Sequence, residues 1–280
     1  MRTRSRLAVL LLLGGLAACG DKSAPSNAPS SASSDATGAD SASSDSEPAS
    51  LPKPKGPRGP IDPATVGAIR GVVRFDGEPP VRKPLSIGGT GGCPEHATPP
   101  LSEDVIVSGG KLANVFVYVK DGLAGWDVPA PKAGEFDLDQ KGCVYTPHAM
   151  GMRVGQTLLV RNTDPTTHNV HIRSRSNQEL NPTQTPNGQP VAWTPTKKEI
   201  GVSFECNLHP WMRAVVHVVE HPWFAVTGED GAFAIEGLPP GDYVVAAWHE
   251  KFGQKTAKVT VVSGGGPATE FVFKATDKPR

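Results

Sequence analysis

The chain has 280 residues, room for one large domain or two small ones. Its 28 Lys and Arg balance its 28 Asp and Glu, so the basic field that nucleic-acid phosphates select is missing and no nucleic-acid partner is expected. Glycine (31) and proline (28) suit a turn-rich β protein with a disordered portion but are too few for a collagenous chain, and only one apolar run, Leu7 to Leu13, raises the question of a membrane.

Met1 to Arg6 is a positive stretch, Leu7 to Leu13 an apolar one, and Leu16-Ala17-Ala18 a small-residue cleavage site; together these are the parts of a secretory signal. The run Leu16-Ala17-Ala18-Cys19 resembles a bacterial lipobox. That resemblance implies removal of residues 1–18, lipidation of Cys19 and a membrane anchor. Gly20 rather than Asp after Cys19 resembles outer-membrane sorting, which implies an exported chain on the periplasmic face of the outer membrane. Residues 19–66, rich in Ser, Ala and Pro, hold too little apolar surface to offset the entropy of ordering and are expected to form a disordered tether. Proline stiffens its end, from Pro52 to Pro60.

The folded body reads as all-β. Ile69, Gly71, Val73 and Phe75 alternate with Arg70 and Arg74, the period of a half-buried strand, and a turn follows at Asp76 to Pro80. From Leu112 to Lys120, Val115, Val117 and Val119 share one face while Phe116 and Tyr118 share the other, which predicts a strand covered on both sides. Further strands are predicted over 156–162, 168–172, 199–205, 213–220, 232–236, 243–249 and 257–262. Gly and Pro interrupt nearly every window long enough for three helical turns.

The stretch Thr227 to Tyr243 encodes a strand, a Gly237-Leu238-Pro239-Pro240-Gly241 reversal and another strand. It resembles the carboxypeptidase regulatory-like (transthyretin-like) β-sandwich, whose earlier strand is matched by Gly71-Val72-Val73-Arg74-Phe75-Asp76-Gly77-Glu78-Pro79. The resemblance implies a discontinuous sandwich, residues 67–141 plus 221–275, around an inserted module at 142–220; two sequential domains are the alternative.

Within that module stand His168-Asn169-Val170-His171 and, later, Cys206-Asn207-Leu208-His209-Pro210-Trp211-Met212. A thiolate, an imidazole and a thioether at three-residue spacing, with one more His from a neighbouring strand, make the His₂Cys set with a weak Met that characterises blue-copper electron-transfer sites. Zinc would want a stronger fourth ligand than Met. These motifs resemble the cupredoxins, especially amicyanin and the plastocyanin/pseudoazurin group, and Tyr145 to Leu158 resembles that family's strand leading to its first His. The resemblance implies a Greek-key sandwich holding one mononuclear type 1 copper, ligated by His168, Cys206, His209 and Met212. Asn169 would steady the thiolate from outside the ligand set, and early strands missing from so short a segment would come from 104–108 and 112–120.

With Cys19 assigned to lipid and Cys206 to metal, Cys93 and Cys143 remain. A disulfide is the default in an oxidising compartment, a second metal site with His96 and His148 the alternative, and free thiols the third possibility. His171, His217, His221 and His249 read as surface or structural residues. Pro210 and Trp211 are candidate docking residues around an exposed edge of His209, although Trp211 reads equally well as a core aromatic.

The function expected is one-electron transfer between redox protein partners by a lipid-anchored blue-copper protein that catalyses no reaction. The main rival is a cell-surface binding or scaffolding lipoprotein with a β-sandwich interaction domain and a copper-binding or storage site. No Ser/His/Asp elbow, phosphate-cradling loop or pair of catalytic carboxylates is legible, and a copper oxidoreductase would need a further His-rich site.

Overall fold

The computed structural model describes residues 59–87, 92–132 and 134–279, and every regular element among them is a β-strand. The signal segment, Cys19 and the tether up to residue 58 lie outside the described residues. The first strands among the described residues are β1 (Gly67–Asp76), β2 (Val107–Ser108), β3 (Lys111–Leu112) and β4 (Phe116–Asp121). The chain continues through β5 (Glu135–Gln140), β6 (Tyr145–Thr146), β7 (Ala149–Arg153), β8 (Thr157–Asn162), β9 (His168–Asn169) and β10 (His171–Arg173). Then come β11 (Thr183–Gln184), β12 (Val191–Trp193), β13 (Glu199–Glu205) and β14 (Arg213–Val219). The last five are β15 (Phe224–Val226), β16 (Ala232–Leu238), β17 (Gly241–His249), β18 (Gly253–Val261) and β19 (Ala268–Lys274).

Two cores result. In the first, β1 lies between β16, antiparallel with Ile69 opposite Ile235, and β19, parallel with Val73 opposite Phe271. The facing sheet runs β15-β4-β17-β18. Ile69, Val73, Phe75, Val115, Val117 and Val119 close onto Phe233, Ile235, Tyr243, Val259 and Phe271. In the second, β10-β13-β14-β7 faces β12-β8-β5-β6 around Leu138, Leu158, Val160, Ile172, Trp193, Phe204 and Val216. Each large apolar side chain so buried contributes on the order of 2 kcal/mol.

β4 serves both bodies. Its valines fill the first core, while Phe116 and Tyr118 on the other face pack with Val219, Ile200 and Phe224. Gly151 of β7 makes this approach close: a Cβ there would stand 2.5 Å from Phe116 Cε2 and 2.6 Å from Phe224 Cε2.

The pairing corrects two expectations. β5 pairs in parallel with β8, Leu138 opposite Val160, so residues 135–140 go with the His168 body and not with the first body, to which the sequence analysis assigns them. Nor do 104–108 and 112–120 complete the His168 body. β2 and β3 pair with each other and β1, and β4 pairs with β15 and β17. The Val115/Val117/Val119 face is committed to the first core, and the strand that completes the second body is β5.

Candidate metal centre

β9 carries His168 and Asn169, and the loop from β13 to β14 carries Cys206, His209 and Met212. That loop closes on itself, the Met212 N–H donating to His209 O at 2.8 Å and the Cys206 N–H to Met212 O at 3.3 Å. The closure turns three side chains of one short segment back toward β9.

His168 Nδ1 stands 2.9 Å from His209 Nδ1 and 3.9 Å from Cys206 Sγ, which is itself 3.7 Å from His209 Nδ1. All three residues are buried, His168 completely, and the three donor atoms lie within 4.8 Å of one another. Met212 is buried beside them in the same core.

Burial pushes the Cys206 thiol up, but hydrogen bonding to His168 and to the backbone of Asn169, His209 and Leu208 outweighs it and holds the thiol below its ordinary pKa. His168 moves the other way: burial opposes its charge, yet Cys206 and Asp164 hold its pKa above the usual imidazole value. His209 is lowered by burial and by the neighbouring His168. A cysteine sulfur with a lowered pKa facing two imidazoles in a buried pocket offers the donor set copper takes, soft sulfur with borderline nitrogen. The residues present fit that metal.

Asn169 ties the segments bearing His168 and Cys206 together. Its Oδ1 accepts from the N–H groups of Asn207 at 2.6 Å and Leu208 at 3.3 Å, its own N–H points at Cys206 Sγ at 3.5 Å, and its Nδ2 donates to Asn181 Oδ1. His171 stays outside the donor cluster, its Nδ1 3.0 Å from Asn207 Oδ1.

Asp164 is a residue that sequence reasoning missed. Its Oδ2 accepts from His168 Nε2 at 2.9 Å. A carboxylate only accepts here, so His168 carries hydrogen on Nε2 and turns Nδ1 toward Cys206 and His209. The same carboxylate takes the N–H groups of Gly142 and Cys143. Those two residues, φ +68° and +55°, form the two-residue turn of the β5–β6 hairpin, a turn type that needs positive φ at both positions.

Cys93 and Cys143 form a disulfide across 50 residues of sequence, a loop closure worth about 4 kcal/mol on the chain-entropy model. His96 Nε2 meets Gly142 O at 2.8 Å, and His148 Nε2 meets Glu250 Oε1 at 2.5 Å, so neither pairs with its neighbouring cysteine as a metal ligand.

The exposed edge expected for His209 is not there. Only 4% of His209 is accessible, and Cys93 Sγ lies 3.6 Å from its Nε2. Trp211, half-buried, donates from Nε1 to Cys143 O at 2.9 Å, leaving Pro210 as the exposed member of the expected docking pair. The reason is the segment around Cys93, which the disulfide holds over the imidazole.

No family model matches the chain, and no curated protein matches it. Solved structures do. A copper-containing nitrite reductase from Thermus scotoductus SA-01 is 19% identical over 34% of this chain and 24% of that one, with a TM-score of 0.29. A Cu(I) form of an amicyanin mutant is 24% identical over 33% of this chain and 96% of that one, TM-score 0.28. A purple cupredoxin from Nitrosopumilus maritimus is 19% identical over 30% and 99%, TM-score 0.26. The chain thus spans about a quarter of the reductase and nearly all of the two small copper proteins, using a third of its own length.

Proposed function

We propose that the protein is a lipid-anchored, mononuclear blue-copper electron carrier of the bacterial cell envelope that serves redox protein partners and catalyses no reaction itself. The observation that carries this reading is the convergence of His168 Nδ1, Cys206 Sγ and His209 Nδ1 in one buried pocket.

Bound there, copper would supply a one-electron couple, Cu(I)/Cu(II). The chain's residues do the rest. His168, Cys206 and His209 would hold the metal, with Met212 as the weak fourth ligand. Asp164 fixes the His168 ring, and Asn169 fixes the ligand loop and donates toward the sulfur. The surrounding core of Leu138, Val160, Val170 and Phe204 excludes water, so little solvent has to reorganise when the charge changes.

The test is the visible spectrum. Cu(II)-loaded protein should show intense thiolate-to-copper charge transfer, and Cys206→Ser should abolish it while the circular dichroism of the β fold persists. A colourless wild type with stoichiometric copper would overturn the reading. The anchor is tested separately: Cys19→Ser should leave an unlipidated precursor, and lipid still attached to that variant would rule out the lipobox.

A further inference from the structure

We propose that Cys93, Cys143 and His209 form a second, redox-gated site for a soft monovalent cation, Cu(I), on the outer side of the metal centre. The proposal rests on the copper reading above for the identity of the metal, but its donors are different atoms.

The two sulfurs and a ring nitrogen of His209 lie within 4.8 Å of one another, and Cys93 Sγ stands 3.6 Å from Nε2, the nitrogen across the ring from the one that faces Cys206 and His168. They reach this point from three separate segments. Cys143 sits at the tip of the β5–β6 hairpin, fixed by Asp164 and by Trp211. Cys93 belongs to a segment whose base is closed by pairing of Pro84 with Leu101 and whose flank packs Leu85 and Ile87 into the second core. His96 fastens the same segment to Gly142. The loop geometry therefore does not depend on the disulfide alone, and parting the two sulfurs leaves both near the imidazole.

In the oxidised chain the sulfurs are bonded to each other and offer no thiolate. Cys143 is fully buried, whereas Cys93 is partly accessible, so Cys93 Sγ is the sulfur a reductant reaches. An external dithiol opens the bond. One of its sulfurs attacks Cys93 Sγ and Cys143 leaves as the thiol; its second sulfur then displaces Cys93, giving two protein thiols and one external disulfide. Uptake of Cu(I) releases the two thiol protons and leaves two thiolates and an imidazole nitrogen around the cation, a set that selects Cu(I).

His209 is shared, and that gives the outer position a role. A ring that holds a metal through Nδ1 keeps its hydrogen on Nε2, so His209 serves one position at a time. Cu(I) taken up outside passes inward when His209 changes the nitrogen it offers, which makes the outer triad an entry site for loading the buried centre.

The experiment uses the full chain carrying Cys206→Ser, which removes the inner thiolate. After reduction with a water-soluble phosphine, titration against a chromophoric Cu(I) chelator should show one Cu(I) bound, and X-ray absorption should count two sulfurs and one nitrogen. The disulfide form should bind none, and adding His209→Ala should weaken the reduced form at least about tenfold. No uptake by the reduced chain, or uptake that His209→Ala leaves unchanged, overturns the proposal. Should Cys206→Ser fail to fold, the wild-type chain decides through the entry role: Cu(I) should load the inner position faster from the reduced chain than from the disulfide form, and equal loading rates overturn the site. A colourless Cu(II) form would sink the blue-copper reading without altering these titrations.

Discussion

Asp164 and His168, four residues apart, meet side chain to side chain at 2.9 Å with both groups out of solvent. The carboxylate also holds the backbone N–H groups of Gly142 and Cys143, so one side chain orients the His168 ring and fixes the turn that bears the disulfide. Asp164→Asn puts an NH₂ where acceptors are needed. Copper affinity should fall roughly 10- to 100-fold, the usual cost of losing a partner behind a ligand. The fold should lose about 1–3 kcal/mol through an unsatisfied backbone donor. Competition titration and thermal unfolding read the two effects, and unchanged affinity would show that Asp164 does not position His168.

Met212 follows Trp211 at the end of the β13–β14 loop, is 1% exposed, and is held through its own backbone to His209 and Cys206. As the weak fourth ligand it would favour Cu(I). Met212→Gln should keep copper but lower the reduction potential, since an oxygen donor favours Cu(II). Voltammetry measures it, and a potential equal to wild type removes Met212 from the ligand set.

His217 is wholly buried at the junction of the two bodies, stacked on Phe116 with ring centroids 4.2 Å apart and set edge-on to Trp248. Its Nδ1 accepts from the Gly201 N–H at 3.3 Å, while Nε2 has no hydrogen-bond partner. Burial lowers its pKa to about 3, and that of buried His249 to about 4. Below the ordinary value near 6.5 the unfolded chain therefore binds protons that the folded chain refuses, and stability falls with falling pH from about 6.5 toward 3. His148 works in the other window. Burial opposes its charge, but Glu250, with Glu103 and Asp104, holds its pKa up, so its contribution is full below about 6.5 and is lost as pH rises through the folded value. Denaturant unfolding should thus give greatest stability near pH 6.5. His217→Gln, which keeps an acceptor but cannot titrate, should flatten the acid limb by about 1.4 kcal/mol per pH unit. An acid limb as steep as wild type would show that His217 is not kept neutral by the fold.

Much of this was legible because alternation exposes strands. The faces of Val115, Val117, Val119 and of Phe116, Tyr118 could be read directly, and the Cys206–Met212 loop stood out by three unusual side chains at even spacing. β5 was harder: Asp137 and Asp139 interrupt Phe136 and Leu138, so the stretch looks like a polar connection until its parallel partner β8 is seen. Asp164 sits in Asn162-Thr163-Asp164-Pro165, which reads as an ordinary turn. Its burial follows from backbone donors that come from 21 and 22 residues earlier in the chain. The covering of His209 could not be found from sequence either, because it depends on Cys93 arriving from 116 residues away.

The first body is assembled around two strands from the N-terminal part of the chain. In its two sheets, β1 lies between β16 and β19, and β4 lies between β15 and β17. Both are internal strands supplied by the N-terminal part of the chain. Residues 221–280 expressed alone keep the β17–β18 hairpin but lose the strand that joins β16 to β19 and the one that joins β15 to β17. Phe233, Ile235, Tyr243 and Phe271 then have no Ile69, Val73, Val117 or Val119 to pack against, and a two-stranded hairpin is marginal by itself. This fragment should show no cooperative thermal transition. Conversely, the Val119 N–H donates to Trp223 O, so the chain leaves and re-enters this body at neighbouring points. Replacing residues 124–221 by a short Gly/Ser linker, with Cys93→Ser to avoid a stray thiol, should leave a cooperative, copper-free β domain. Its weak point is the face of Phe116, Tyr118 and Phe224, uncovered by loss of Ile200 and Val219, and binding of a hydrophobic dye should report it. Cooperative melting of 221–280 alone would mean that the two internal strands are dispensable and that the bodies are sequential domains.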